Sequence, residues 1–197
     1  MREFIYYSKN GRTSGNIGTD LMKAGRMDIA LQFVIMSFYI SNEMRDNVKL
    51  HLHFNGSPDP PKHLELNPSE DIDNELAISK KNVLGLIKKM LYKYKPGKKN
   101  QVFPGYYVEK KEFSDLLDEL EESHKTIYLL DKNGEDIREI EICDNPVFIF
   151  GDHDGIPKNE LKNMRKMKIK KVSVGNCVYF ASQTLTIVQN ELDRRGI

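Results

Sequence analysis

The sequence predicts an α/β fold built on buried parallel strands, and observations in its last third carry that prediction. Residues 147–150 are a short apolar run stopped by Gly151, and residues 169–174, apolar at Ile169, Val172 and Val174, are a second short run, stopped by Gly175. Short apolar runs bounded by glycine suit strands buried on both faces better than helices. After the second glycine, Ala181, Leu185, Val188 and Leu192 recur at helical spacing and give a final helix one apolar face. Two such strand ends side by side make a crevice at the carboxyl edge of a sheet, where open α/β folds bind ligands. Glycine belongs there because the backbone must approach a ligand closely or take positive φ.

From the start of the chain, residues 3–7 read as the first strand. Residues 8–27 are a long glycine-rich loop carrying Lys9, Arg12, Lys23 and Arg26. A loop of that length in a compact domain is usually functional, and basic side chains among glycines suit a phosphate backbone. Asp28 stands at the N-cap position of a helix over 29–40 that is apolar on nearly every face. In a chain this small, such a helix predicts cover from a second subunit. Val48, Leu50, Leu52 and Phe54 alternate with Lys49, His51 and His53, the pattern of a half-buried strand. The two histidines share its outer face; with no third ligand nearby, they read as a solvated face rather than a metal site.

Residues 55–61 are a turn-rich break, followed by a short strand at 63–66. Ser79 caps the next helix, whose buried stripe is Val83, Ile87, Met90 and Tyr94. Lysines crowd residues 88–99, with Tyr92 and Tyr94 among them. Lys88, Lys89, Lys98 and Lys99 are candidate RNA contacts there. Pro104-Gly105 marks a turn. Phe113, Leu116, Leu117 and Leu120 make an amphipathic helix with an acidic outer face. Residues 126–130 are a strand, Asn133-Gly134 is a hairpin signal, and 137–142 reads as the returning strand.

The totals exclude several classes. A chain of 197 residues fits one domain over 1–197, and a net charge of +1 implies no partner by itself. No uncharged apolar run is long enough to span a membrane, and the N-terminus turns polar too early for a signal peptide. Two isolated cysteines, Cys143 and Cys177, fit a reducing cytoplasm. Without CxxC or HExxH, no zinc is expected.

The motif GDHDGIP at 151–157 lacks the spacing of a dinucleotide fold or a phosphate loop. Asp152, His153 and Asp154 place carboxylates at a spacing that suits magnesium, which would mean a metal-dependent phosphohydrolase or nuclease. A third class is a non-enzymatic RNA-binding protein. Against it, VSVGNCVYFASQ at 172–183 has no use in a pure binder. Cys177 reads as a small buried hydrophobe beside a turn rather than a nucleophile.

GDHDGIP and VSVGNCVYFASQ, taken with FIYYSKNGRTSGNIGTDLMKAGRMDIALQFVIMSF at 4–38, resemble the SPOUT-class RNA methyltransferases. Within that class the chain is similar, over essentially its whole length, to the archaeal tRNA pseudouridine-54 N1-methyltransferases. The resemblance implies an open, mostly parallel sheet with helices on both faces, a C-terminal trefoil knot and a tRNA substrate; a homodimer is expected from the apolar helix over 29–40 together with the apolar stripe of the final helix. An equivalent enzyme acting on ribosomal RNA is the alternative. It also implies S-adenosylmethionine held by Leu129, Leu130, Gly151, Asp152, Gly155, Ile156, Val172, Val174, Gly175, Cys177 and Ser182. Pseudouridine presents a ring N1–H that uridine lacks. A base, plus a cation near a carbonyl oxygen, would make that nitrogen nucleophilic. By position, Arg26 and Asp28 are candidates for cation and base, with Asp20 a second candidate base.

Overall fold

A computed structural model of the chain describes residues 1–41, 43–68 and 79–197. Its elements run β1 (Arg2–Ser8), α1 (Met27–Phe38), β2 (Val48–Phe54), β3 (Lys62–Leu66), α2 (Lys80–Tyr92), β4 (Asn100–Phe103), β5 (Tyr106–Glu109), α3 (Phe113–Glu122), β6 (Ile127–Asp136), β7 (Val147–Gly151), α4 (Lys158–Met164), β8 (Lys170–Ser173) and α5 (Ala181–Arg195). The strands join in one sheet, in the order β4-β5-β3-β2-β1-β7-β6-β8. The pairs linking β2, β1, β7, β6 and β8 are parallel, and β3, β5 and β4 continue antiparallel.

Strand β1 is buried at every position because both of its faces are covered. Phe4 and Tyr6 point into a core shared with α1, α2 and α5. Ile5 and Tyr7, one residue out of phase, point into a second core under α3 and α4. This is the expected mostly parallel α/β sheet with helices on both faces.

Four local expectations change. Helix α1 starts at Met27, and its N-cap is Arg26 in the left-handed region (φ 58); Asp28 lies inside the first turn rather than at the cap. The helix packs on β1, β2, α2 and α5 of its own chain, so its all-round apolar sequence does not require a second subunit. The histidines are not solvated either: His51 and His53 are 3% and 1% exposed. His51 Nδ1 faces His63 Nε2 at 2.9 Å, while the outer ring nitrogens of this pair lie 3.2 Å from Glu3 and 3.0 Å from Glu109. A third potential ligand therefore does lie beside His51, on β3.

The fourth change concerns Asn133-Gly134. No strand returns at 137–142, where the chain turns and buries Ile137 and Ile142. Instead β6 meets β8 twice: Leu130 and Glu135 both take Val172 as a partner, and Ile137 N donates to Ser173 O at 2.8 Å. A Cβ on Gly134 would lie 2.5 Å from Val172 N. A strand from much later in the sequence thus occupies the hydrogen bonds a hairpin would have used.

Candidate functional site

The carboxyl ends of β6, β7 and β8 frame a cavity of about 520 Å³, within the size range of ligand sites. Its walls include Leu129, Leu130, Gly151, Asp152, Gly155, Ile156, Val172, Val174, Gly175 and Cys177; Ser182 is not among them. Cys177 is exposed rather than buried. The sequence alone did not mark Asp131, Lys132 or the apolar segment Val178, Tyr179 and Phe180, which complete the lining. Gly151 is required by packing within its own loop, since a Cβ there would sit 2.9 Å from the Gly155 backbone. Gly175 is required by its φ of 122.

Asp152 ties the cavity floor to the end of β1. Its carboxylate accepts from Ser8 Oγ (2.9 Å), Lys9 N (3.0 Å) and Asp154 N (2.9 Å). Asp154 in turn accepts from Asn10 Nδ2 at 3.1 Å. Carboxylate oxygens of Asp152 and Asp154 and a ring nitrogen of His153 lie within 4.8 Å of one another, close enough to hold a cation. A carboxylate already engaged by three donors is nonetheless a poor hard-metal ligand, and this weighs against the hydrolase reading.

Arg26 and Asp28 form a two-pronged pair, with Nε and Nη2 each 3.0 Å from the two carboxylate oxygens. The pair is about one-third exposed. The next residue, Ile29, lines the cavity. Hydrogen bonding from Arg26 lowers the pKa of Asp28 despite partial burial. Arg26 is held in a left-handed backbone conformation that a non-glycine residue adopts at a cost, and such strain clusters at functional sites. Tyr6 was not anticipated. Its hydroxyl is buried without a hydrogen-bond partner among the described residues, and its pKa is raised by burial and then by the charges of Asp152 and Asp28. It therefore lies electrostatically between the two carboxylates. Asp20 is exposed and caps the turn at Lys23 N.

The candidate RNA contacts fall on the loop and on α2. Lys9 and Lys23 are exposed, and Arg12 is half-buried. Gly15 packs the loop against Tyr92 and the Lys88 carbonyl, so the loop joins the cavity rim at Asp152 to the lysine run. Lys98 is free at the surface. Lys89 lies over the Phe103 ring, and Lys99 pairs with Glu65 at 2.8 Å.

A sheet whose strand ends enclose such a cavity can be placed among known proteins. The chain belongs to a family of RNA methyltransferases that use S-adenosylmethionine: the family model described as "Putative SAM-dependent RNA methyltransferase" matches residues 1–197. Within that family it is 34% identical over 205 residues to the tRNA (pseudouridine(54)-N(1))-methyltransferase of Methanocaldococcus jannaschii, covering 100% of this chain and 98% of the relative. The Pyrococcus abyssi protein of the same name is 31% identical over 205 residues, with both chains covered completely. The crystal structure of Archaeoglobus fulgidus Nep1 bound to S-adenosylhomocysteine shares the fold, with a TM-score of 0.64 at 14% identity, over 100% of this chain and 99% of that one.

Proposed function

We propose that this protein methylates N1 of pseudouridine 54 in the T loop of tRNA, as a cytoplasmic, single-domain enzyme. One observation carries the reading: the strand-end cavity sits beside the Arg26–Asp28 pair, in a chain alike end to end to relatives bearing that name. The cavity fits the cofactor. Apolar walls from Leu129, Leu130, Ile156 and Val172 suit the faces of a purine, and the backbone of three strand ends suits its polar edge. Bound there, S-adenosylmethionine supplies a methyl group on a positively charged sulfur.

The residues of the chain then have to orient the base and take one proton. Paired with Arg26, Asp28 is a weak base. When a uracil carbonyl draws the guanidinium away, Asp28 is left free to accept the N1 proton while Arg26 stabilises the developing anion. The two residues thus act as one exchange rather than as two independent groups.

The rest of the reading follows from the same region. The reading includes a C-terminal trefoil knot, which the double partnering of Val172, with Leu130 and with Glu135, supports. Val178 and Phe180 are 83% and 70% exposed on the cavity rim, and they supply the apolar surface for a homodimer. A dimer of standard size would bury about 1,600 Å² in total; sedimentation at a monomer mass at working concentration would remove it.

Asp28→Asn tests the mechanism. Methyl transfer to a transcript with pseudouridine at 54 should fall by ~10²-fold or more, with S-adenosylhomocysteine affinity unchanged by calorimetry. A uridine-54 transcript should give no product, because its N1 holds the sugar. Near-normal turnover by the variant would pass the proton to Asp20 or solvent. Failure of the wild-type protein to bind the cofactor would remove the whole reading.

A further inference from the structure

The segment 158–171 is basic, and its charge is arranged rather than scattered. Lys158, Lys162, Arg165 and Lys166 recur at helical spacings of four, three and one, which sets them on one side of α4 and the turn that continues it. The one acidic residue of that segment, Glu160, falls on the opposite side by the same spacing. Leu161 and Met164 mark the inner side: Leu161 lines the cavity and Met164 is buried under the sheet. The basic side therefore adjoins the cavity wall and faces out. Lys168 extends it past the helix, with its backbone N donating to Glu121 Oε1 at 3.3 Å and its ammonium exposed.

These charges are uncompensated. Among the described residues no carboxylate forms an ion pair with Lys158, Lys162, Arg165, Lys166 or Lys168, whereas Lys171 pairs with Asp131 at 2.6 Å. The lysines of 88–99 are partly spent, Lys99 on Glu65 and Lys89 over Phe103. The two basic regions also lie on opposite faces of the sheet, because α2 packs on the α1 face and α4 on the α3 face. The cavity opens at the strand ends between them.

We propose that the outer side of α4 and its following turn is the main phosphate-contacting surface of the protein, holding an RNA backbone on the far side of the cavity from the lysines of 88–99. This rests on the reading that the substrate is RNA. A polyanion laid across both faces would centre one nucleotide over the cavity, with positive charge on either side. Phosphate contacts fix register without reading sequence, so this surface sets which nucleotide reaches the methyl group but not which base is accepted.

The test is the salt dependence of binding to a tRNA transcript carrying pseudouridine at 54. The variant Lys162→Gln, Arg165→Gln, Lys166→Gln and Lys168→Gln should lower the slope of log K against log salt by roughly 3 to 3.5, at ~0.7–0.9 for each of four lost phosphate contacts. Affinity near physiological salt should fall at least ~10-fold, with S-adenosylhomocysteine affinity unchanged. A matched variant of Lys88, Lys93, Lys95 and Lys98 should change the slope less. An unchanged slope with cofactor binding intact overturns the proposal, as does a larger effect from the α2 variant. If the first variant folds poorly, acetylation footprinting of the wild-type protein decides. Transfer RNA should protect Lys162, Lys166 and Lys168, and equal labelling with and without RNA overturns the proposal. Absence of cofactor binding in the wild type would instead strike the methyltransferase mechanism.

Discussion

Acidification should destabilise this protein through histidines that the cavity does not use. His53 stacks on Tyr7 with ring centroids 5.5 Å apart, and its ring nitrogens are both satisfied in the neutral form. Nε2 donates to the Lys111 carbonyl at 3.0 Å, and Nδ1 accepts from Asn55 at 2.9 Å. Burial pushes its pKa from 6.5 down to about 4. The unfolded chain therefore takes up a proton as pH falls through 6.5, while the folded protein does not until about 4. Stability is complete above the unfolded value and is lost between the two, by about 3 kcal/mol at ~1.4 kcal/mol per pH unit. His63 adds to this with the same sign, held well below its ordinary range by burial and then by the charge on His51. Glu3 gives a second step at lower pH. Burial alone would raise it, but His51 and Lys125 outweigh that and hold it at about 2, so its contribution is lost as pH falls from 4.5. Urea unfolding from about pH 2 to 7.5 measures both steps, and imidazole NMR titration assigns the upper one; His53→Gln should flatten the upper step by up to ~1.4 kcal/mol per pH unit. A native His53 resonance titrating near 6.5, or a variant with the wild-type slope, would refute the argument.

Gly134→Ala should cost about 1–3 kcal/mol, because its Cβ meets the backbone of Lys171 and Val172 rather than a movable side chain; a melting temperature equal to wild type would contradict the close crossing of β6 and β8. Gly85→Ala, inside α2 with open space around its Cβ, should instead stabilise by roughly 0.5–1 kcal/mol in the same assay. Asp152→Asn should lose about 1–3 kcal/mol in urea unfolding, since an amide cannot accept all three of the donors that Asp152 holds, and cofactor affinity should fall with it. Stability within about 0.5 kcal/mol of wild type would mean those bonds are not what anchors the loop.

Much of the fold was legible because its signals are local. Continuous apolar runs at β1 and β7 marked strands covered on both sides, and the helical stripes of α2, α3 and α5 came through as periodicity. What failed needed a partner from elsewhere in the chain. Alternation in β2 suggested a wet face for His51 and His53, but their hydrogen-bond partners stand on β1, β3 and the segment after β5. Asn133-Gly134 carried a true turn signal, yet the strand beside it is β8. Helix α4 has only Leu161 and Met164 on its inner side, too little for a stripe, so periodicity did not mark it. The β4–β5 hairpin showed only its Pro104-Gly105 turn, because each strand is four residues long.

The site divides along the same line, and the division says how it is built. Glycine-terminated strand ends announce a crevice, and most residues implied to hold the cofactor do line it. The Arg26–Asp28 pair was legible from proximity in sequence. The connection between crevice and pair was not, because it runs through alternating positions of β1. Tyr6 feels the charges of Asp152 and Asp28, and Ser8, two residues on, binds Asp152 directly. Lys9 N and Asn10 then tie the start of the 8–27 loop to Asp152 and Asp154. The loop that carries Arg26 at its far end is therefore hydrogen-bonded at its near end to the motif that floors the cavity. The two ends of the loop also meet directly, since a Cβ on Gly25 would overlap the Asn10 carbonyl. Coupling of this kind follows from sheet register, where β1 lies beside β7 with Tyr7 opposite Gly151, and no spacing within either segment could have shown it.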